Sequence, residues 1–299
     1  MTVLVPLLLL FFIAMPIFYA VRIARLDAPS RAAWLLNVAE ATVVCLLILI
    51  LGRWDIAGMH TRWALAAIFL GAVVHSLYRH RARPWLAPGQ PVFRGHRSTL
   101  LSLLLLTAAL GWITIGLFAR HDPVMLAFPL ADGRFVVAQG GDNVMLNRHH
   151  SHPAQRHALD ITAVNAIGVR AAGLLPADPQ RYVIFDKPVL SPCSGKVTEL
   201  RDGLPDLTPP TADPEHPAGN HGVIACGEIE VTLAHLRKGS IQIRTGASVK
   251  TGDLIGRVGN SGNTSEPHLH VHAVDSGTGN GVQIGFNNRV PSRNSVFER

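Results

Sequence analysis

Glu266-Pro267-His268-Leu269-His270-Val271-His272 alternates imidazole with apolar side chains. A period of two marks a strand, and on a strand His268, His270 and His272 leave one face at intervals of about 6.6 Å. Three imidazoles so placed offer metal ligands, or a ligand beside a base; the plain alternative is three surface histidines on an exposed strand. The surrounding chain reads the same way. From residue 134 onward, short runs rich in Val and Ile are separated by Gly, Pro, Asn and Asp: Phe135–Ala138, Tyr182–Phe185, Gly195–Leu200, Gly222–Ala225, Ile229–Leu233, Ser240–Arg244, Leu254–Val258 and His268–Val274. Such a series predicts an all-β domain. Gly203–Gly219 holds five Pro, so it is expected to be a long surface loop rather than a central strand.

Ten of the fifteen His lie after residue 148. Besides the alternating segment they cluster in Arg148–Asp160 (RHHSHPAQRHALD), where imidazoles and a carboxylate can supply mixed N and O ligands to Zn²⁺ with a position left for water. A polar loop with scattered His is the bland reading of that segment. His235, in Thr232-Leu233-Ala234-His235-Leu236, stands alone among apolar residues and by itself reads as a satisfied core histidine.

Taken in order, Asp160 in HALDI, KPVLSPCSGKV (187–197), GNHGVI (219–224), His235 in LAHL, VKTGDLIGRVGNSGN (249–263) and EPHLHVH (266–272) resemble the lysostaphin-type, LytM-like zinc endopeptidases, also called glycyl-glycine endopeptidase-like. The resemblance covers residues 140–275. It implies a small antiparallel, barrel-like β domain with a duplicated hybrid motif and a groove over one Zn²⁺. The implied activity is cleavage of peptides in bacterial cell-wall peptidoglycan. By position it makes Asp160 and His270 metal ligands, and His235 and His268 the two catalytic histidines that are not ligands.

One position departs from that pattern. The family's first ligand is a His four residues before the Asp, and Arg156 stands there; a guanidinium stays protonated and has no lone pair to give. His149, His150 and His157 are the candidates to replace it. On a strand His157 would face away from Asp160. Asn147, His149, Gln155 and Arg156 resemble a branch of the family with Asn-x-His upstream of a Gln-Arg pair, which favours His149. The competing expectation is a degenerate module that binds cell wall or activates a partner hydrolase. Cys193 and Cys226 are expected on neighbouring strands, where they pair as a disulfide if the domain lies outside the cytoplasm.

The preceding two fifths of the chain are of another kind. Met1–Val21 and Ser98–Ala119 carry no charge, and each is long enough to cross a hydrocarbon core of about 30 Å. Ala32–Leu51, with Glu40, and Trp63–Tyr78, with His75, are two further expected spans. The first segment lacks the basic start of a cleaved signal peptide, and its apolar run is overlong for one. An all-α bundle of about four transmembrane helices over 1–121 is therefore expected before a β domain over 122–299. Glu40 reads as an acid paired inside the bundle rather than a transport site.

The formal charge of +7 divides into +8 over residues 1–121 and −1 over 122–299. The excess thus belongs to loops beside the membrane, which gives no support to nucleic-acid binding. The Arg-rich segments Arg22–Arg31 and Arg79–Arg97 are expected inside, which places both termini and the β domain on the extracytoplasmic side of a bacterial inner membrane. Three Cys are too few for a disulfide-built scaffold.

Overall fold

The computed structural model describes residues 4–87, 89 and 97–299. Met1–Val3 of the first expected span, and 88 and 90–96 of the third loop with Arg94, lie outside the described residues. The chain forms two compact units, one ending at Thr114 and one running from Ile115 to Arg299.

In the first unit, α1 (Leu4–Ala24), α2 (Arg31–Leu51), α4 (Thr61–His80) and α5 (Arg97–Phe118) are long and apolar enough to cross a membrane, with the short α3 (Trp54–Ala57) between α2 and α4. The Ser30 hydroxyl caps α2 by accepting the Ala33 N–H at 3.2 Å, one of the donors a helix start leaves unserved. Small residues let the helices close up around Ala20, Ile23, Ala41, Cys45 and Phe69. Glu40 is buried, and its charge is met by Arg22 at 2.9 Å and by the Ser102 hydroxyl, while Arg22 also donates to Asn37 at 2.9 Å. A lone acid in hydrocarbon is costly, and this network answers it within the helices. His75 is exposed on α4.

The second unit is rich in antiparallel strands. In chain order they are β1 (Val124–Leu126), β2 (Arg134–Gln139), β3 (Leu159–Val164), β4 (Pro188–Leu190), β5 (Gly195–Arg201), β6 (Asn220–Cys226), β7 (Ile229–Leu236), β8 (Ser248–Val249), β9 (Leu254–Arg257), β10 (Leu269–Asp275), β11 (Gly281–Val282), β12 (Ile284–Phe286) and β13 (Val296–Glu298). The main sheet has the order β13-β2-β3-β10-β7-β6-β5-β8, with β11 also on β10; β4 pairs with β9, and β1 runs parallel to β12.

Alternation assigns the two sheet faces. Ile161 and Ala163 of β3, Val231 and Leu233 of β7, and Leu269, Val271 and Ala273 of β10 fill one apolar core with Phe128, Phe135, Phe286 and Phe297. Phe128 stacks on Phe297 with ring centroids 4.7 Å apart. Asp160 and His270 occupy the intervening positions and therefore share the other face.

Two expected strands are not formed. Tyr182–Phe185 is a turn in which Phe185 N–H bonds Tyr182 O at 3.1 Å and Lys187 N–H bonds Ile184 O at 3.1 Å, with Asp186 at φ +65°. Ser240–Arg244 makes no strand ladder, although Gln242 N–H reaches Ile255 O at 3.0 Å and Ile241 and Ile243 pack on the core. In both, apolar residues cover the core without the extended pairing that their composition suggests. Residues 202–219 hold no strand, as their prolines require. Cys193 is disulfide-bonded to Cys226 with Cα atoms 6.0 Å apart, but it sits in the turn before β5 rather than on a strand.

Candidate metal centre

β3 and β10 are antiparallel neighbours in a register that sets Asp160 directly opposite His270. His270 Nδ1 lies 3.0 Å from Asp160 Oδ1, and His149 Nε2 lies 3.0 and 3.1 Å from the two carboxylate oxygens. One donor atom from each of His149, Asp160 and His270 falls within 4.8 Å of the others, an arrangement that can hold a metal ion. Asp160 and His270 are 3% and 4% exposed, so neither is an ordinary surface group.

His149 reaches the centre from a short 3-10 turn, Arg148–Ser151. Asn147, fully buried, fixes that turn from both sides. Its Oδ1 accepts the His149 N–H at 3.1 Å, and its Nδ2 donates to Ala158 O at 3.0 Å and Arg156 O at 3.2 Å, on the chain leading into β3. Arg156 itself is exposed, and its carbonyl serves this clasp. The guanidinium that reaches Asp160 is that of Arg148, at 3.4 Å from Oδ2 and 57% exposed. His150 and His157 turn toward Asp142 instead.

His235 reaches this face through a break in alternation. Val231, Leu233 and Leu236 are core residues, so β7 changes phase between 233 and 236. The change occurs at His235, whose φ of +63° is uncommon outside Gly, beside a register shift between Asn220 and Gly222. The His235 ring comes to 4.8 Å of His268 and 5.8 Å of His270, centroid to centroid.

Both rings have an assignable tautomer, because a carbonyl can only accept. His235 Nδ1–H donates to Ser261 O at 2.9 Å, and His268 Nδ1–H donates to Glu266 O at 2.9 Å. In the neutral ring each Nε2 therefore presents a lone pair. His268 Nε2 is buried, has no hydrogen-bond partner and lies 3.5 Å from Asp160 Oδ1. Two glycines hold the Ser261 carbonyl in place: a Cβ on Gly219 would meet Ser261 O at 2.2 Å, and one on Gly262 would meet Gly219 N at 2.4 Å. No side chain fits this backbone crossing.

Burial pushes Asp160 toward neutrality, but the surrounding histidines, His268, His149 and His270, outweigh it and hold the carboxyl well below the usual carboxylate range. Burial drives His235 well below the ordinary histidine value, reinforced by the charges of His268 and His270. His270 is lowered chiefly by burial against the opposing pull of Asp160. A deprotonated acid and neutral imidazoles are the forms that bind metal. His272, for which the sequence suggests no separate role, accepts or donates at Nδ1 to His270 Nε2 at 3.0 Å, and burial lowers it to about 3. The period-two spacing was its signal. The reading of three exposed strand histidines fails, since His268 and His270 are buried and His272 is half-buried.

Residues 183–283 match the model of Peptidase family M23. The matched stretch includes His235, His268 and His270 and begins after His149 and Asp160. No curated protein matches the chain. Among solved structures, a zinc-containing peptidase from Vibrio cholerae is 21% identical with a TM-score of 0.33, over 52% of this chain and 37% of its own. A putative peptidase M23 from Pseudomonas aeruginosa is 15% identical with a TM-score of 0.31, over 59% and 57%. The catalytic domain of lysostaphin from Staphylococcus simulans is 21% identical with a TM-score of 0.25, over 37% and 68%. The chain thus spans less than two thirds of the length of the first two.

Proposed function

We propose, for a chain whose residues 183–283 form a Peptidase M23 domain, that it is a zinc metalloendopeptidase hydrolysing peptides of bacterial peptidoglycan. Four spans would hold it in the cytoplasmic membrane, with the β unit outside. The observation that carries this reading is the pair of lone-pair-bearing Nε2 atoms on His235 and His268 beside the His149, Asp160 and His270 donors.

The donor set fits zinc: two imidazoles and one carboxylate converge, and the buried Nε2 of His268 lacks a partner beside them. Zn²⁺ bound by His149, Asp160 and His270 supplies Lewis acidity that polarises a scissile carbonyl and acidifies a water. The chain's own residues do the proton work. The Nε2 lone pairs of His235 and His268 orient the water and remove its proton. The resulting imidazolium stabilises the developing oxyanion and returns the proton to the departing amine, so that water and one peptide bond become a carboxyl and an amino group. The Ser261 and Glu266 carbonyls keep both rings in the tautomer that allows this.

His268→Ala is expected to lower release of soluble fragments from dye-labelled peptidoglycan by about 10²- to 10⁴-fold while sparing bound zinc. His270→Ala is expected to lose both. A wild-type chain that holds no zinc after loading at neutral pH refutes the hydrolase.

Arg156, at the position of the family's usual first His, favours a second reading, a binding module that holds wall peptide or activates a partner hydrolase. The same assay separates them: the module retains labelled wall and releases none.

A further inference from the structure

We infer that Arg170 is a positioning residue for His268, acting through Glu266: a buried guanidinium holds the carboxylate of the residue whose carbonyl orients the His268 ring. Arg170 is 2% exposed. Its Nε–H donates to Glu266 Oε2 at 3.0 Å, and Nη2–H donates to the same oxygen, which ties together segments 96 residues apart. Nη1 and Nη2 also donate to Leu174 O at 3.2 and 3.1 Å, and the guanidinium carbon lies 5.4 Å from the centre of the Tyr182 ring. The backbone around Arg170 is pinned as well. Val183 N–H donates to Arg170 O at 2.9 Å, and Ala172 N–H donates to Arg181 O at 2.9 Å.

From Glu266 the path to the ring is short. The Glu266 carbonyl accepts His268 Nδ1–H at 2.9 Å and the Thr264 hydroxyl at 2.7 Å, and Thr264 is 1% exposed. Pro267 stands between Glu266 and His268. Its ring fixes one torsion and confines the preceding residue to extended backbone, so few free torsions separate the carboxylate that Arg170 holds from the carbonyl that holds the ring.

Taking a guanidinium out of water is expensive unless fixed partners meet it. Here they do, and the partners reach the site by one residue. A planar guanidinium that donates to Glu266 and to Leu174 O at once fixes direction as well as distance, which a single ammonium does not. The effect on rate rests on the proposed hydrolysis; the effect on the His268 ring does not.

The test uses the full chain in detergent. Arg170→Met alone breaks a mostly buried ion pair and destabilises, so it is combined with Glu266→Gln, which removes both charges at similar volume. The double variant is expected to melt near wild type and to retain as much zinc. At saturating dye-labelled peptidoglycan it is expected to release fragments about 10- to 100-fold more slowly, with the half-saturating amount of wall unchanged. Arg170→Lys, which keeps the charge but not the planar fork, is expected to lie between, and it carries the same test if the double variant melts early. A second readout needs no activity. In metal-stripped chain labelled with nitrogen-15 histidine at neutral pH, His268 signals are identified by their loss in His268→Gln. Wild type is expected to show the Nδ1–H tautomer of His268, and the double variant a mixture of both tautomers. A folded double variant that keeps either the wild-type rate or the undivided Nδ1–H form overturns the inference. Where wild type itself cleaves nothing, the hydrolase falls and the tautomer decides alone: a mixture in the double variant sustains the positioning of the ring by Arg170, and undivided Nδ1–H overturns it.

Discussion

His272 touches no substrate in the proposed reaction, yet it holds the far nitrogen of His270. Partners of this kind fix the orientation of a ligating ring, and losing one typically costs about 10- to 100-fold in metal affinity. His272→Ala is expected to weaken zinc retention by that amount, and His272→Gln, which keeps a polar atom near Nδ1, is expected to restore part of it in a chelator competition. Acid should act in one direction. His157 is held at about 4 against an ordinary 6.5, so between those values the unfolded chain binds more protons than the folded one, and stability falls as pH is lowered through the window. His272, at about 3, and the depressed Asp160 push the same way. The melting temperature of metal-stripped protein should therefore drop between pH 6.5 and 4; a flat profile would contradict these shifts. Among single residues, the alternating His268, His270 and His272 were legible because period two is a backbone property. The place of His235 was not, because alternation from Val231 and Leu233 sends it into the core. Only the positive φ turns it out, and no local composition announces that. His150 and His157 were legible as possible ligands, but their partner Asp142 lies outside the segment that drew attention to them.

At the scale of elements, the sheet was readable where short Val- and Ile-rich runs became β2, β5, β6, β7, β9 and β10, but not at β3, the strand that carries Asp160. It was misread where apolar residues cover the core from a turn, as in Tyr182–Phe185, since burial and pairing are separate demands on the chain. The ligands depend on the register of β3 against β10, which the apolar residues on the opposite face lock. Val271→Ala, fully buried beside His270, is expected to cost about 1 to 3 kcal/mol in chemical denaturation and to weaken zinc retention in parallel. Stability lost with zinc affinity unchanged would show that the register does not set the ligands. The Cys193–Cys226 bond closes a separation of 33 residues and joins the turn before β5 to the end of β6. Loop-closure entropy assigns it about 3 to 4 kcal/mol, so a Cys193→Ser, Cys226→Ser double variant should unfold at lower denaturant by that margin.

For the whole molecule, the four apolar helices were evident from length and composition, whereas the network of Arg22, Glu40, Asn37 and Ser102 joins residues from three helices and was legible only in Glu40 beside Asn37. The proposed orientation rests on where arginine accumulates. A reporter active only outside the cytoplasm, fused after Arg299, is expected to be active, and a silent fusion would reverse the arrangement. The proposed ligands are scattered from His149 to His270, so a nascent chain still emerging through the bilayer holds an incomplete centre. Hydrolytic capacity would arise only once β10 has docked beside β3, late in export. In the proposed orientation the chain would by then lie next to the wall and away from the cytosol, a timing that would shield the cell's interior from the proposed hydrolase.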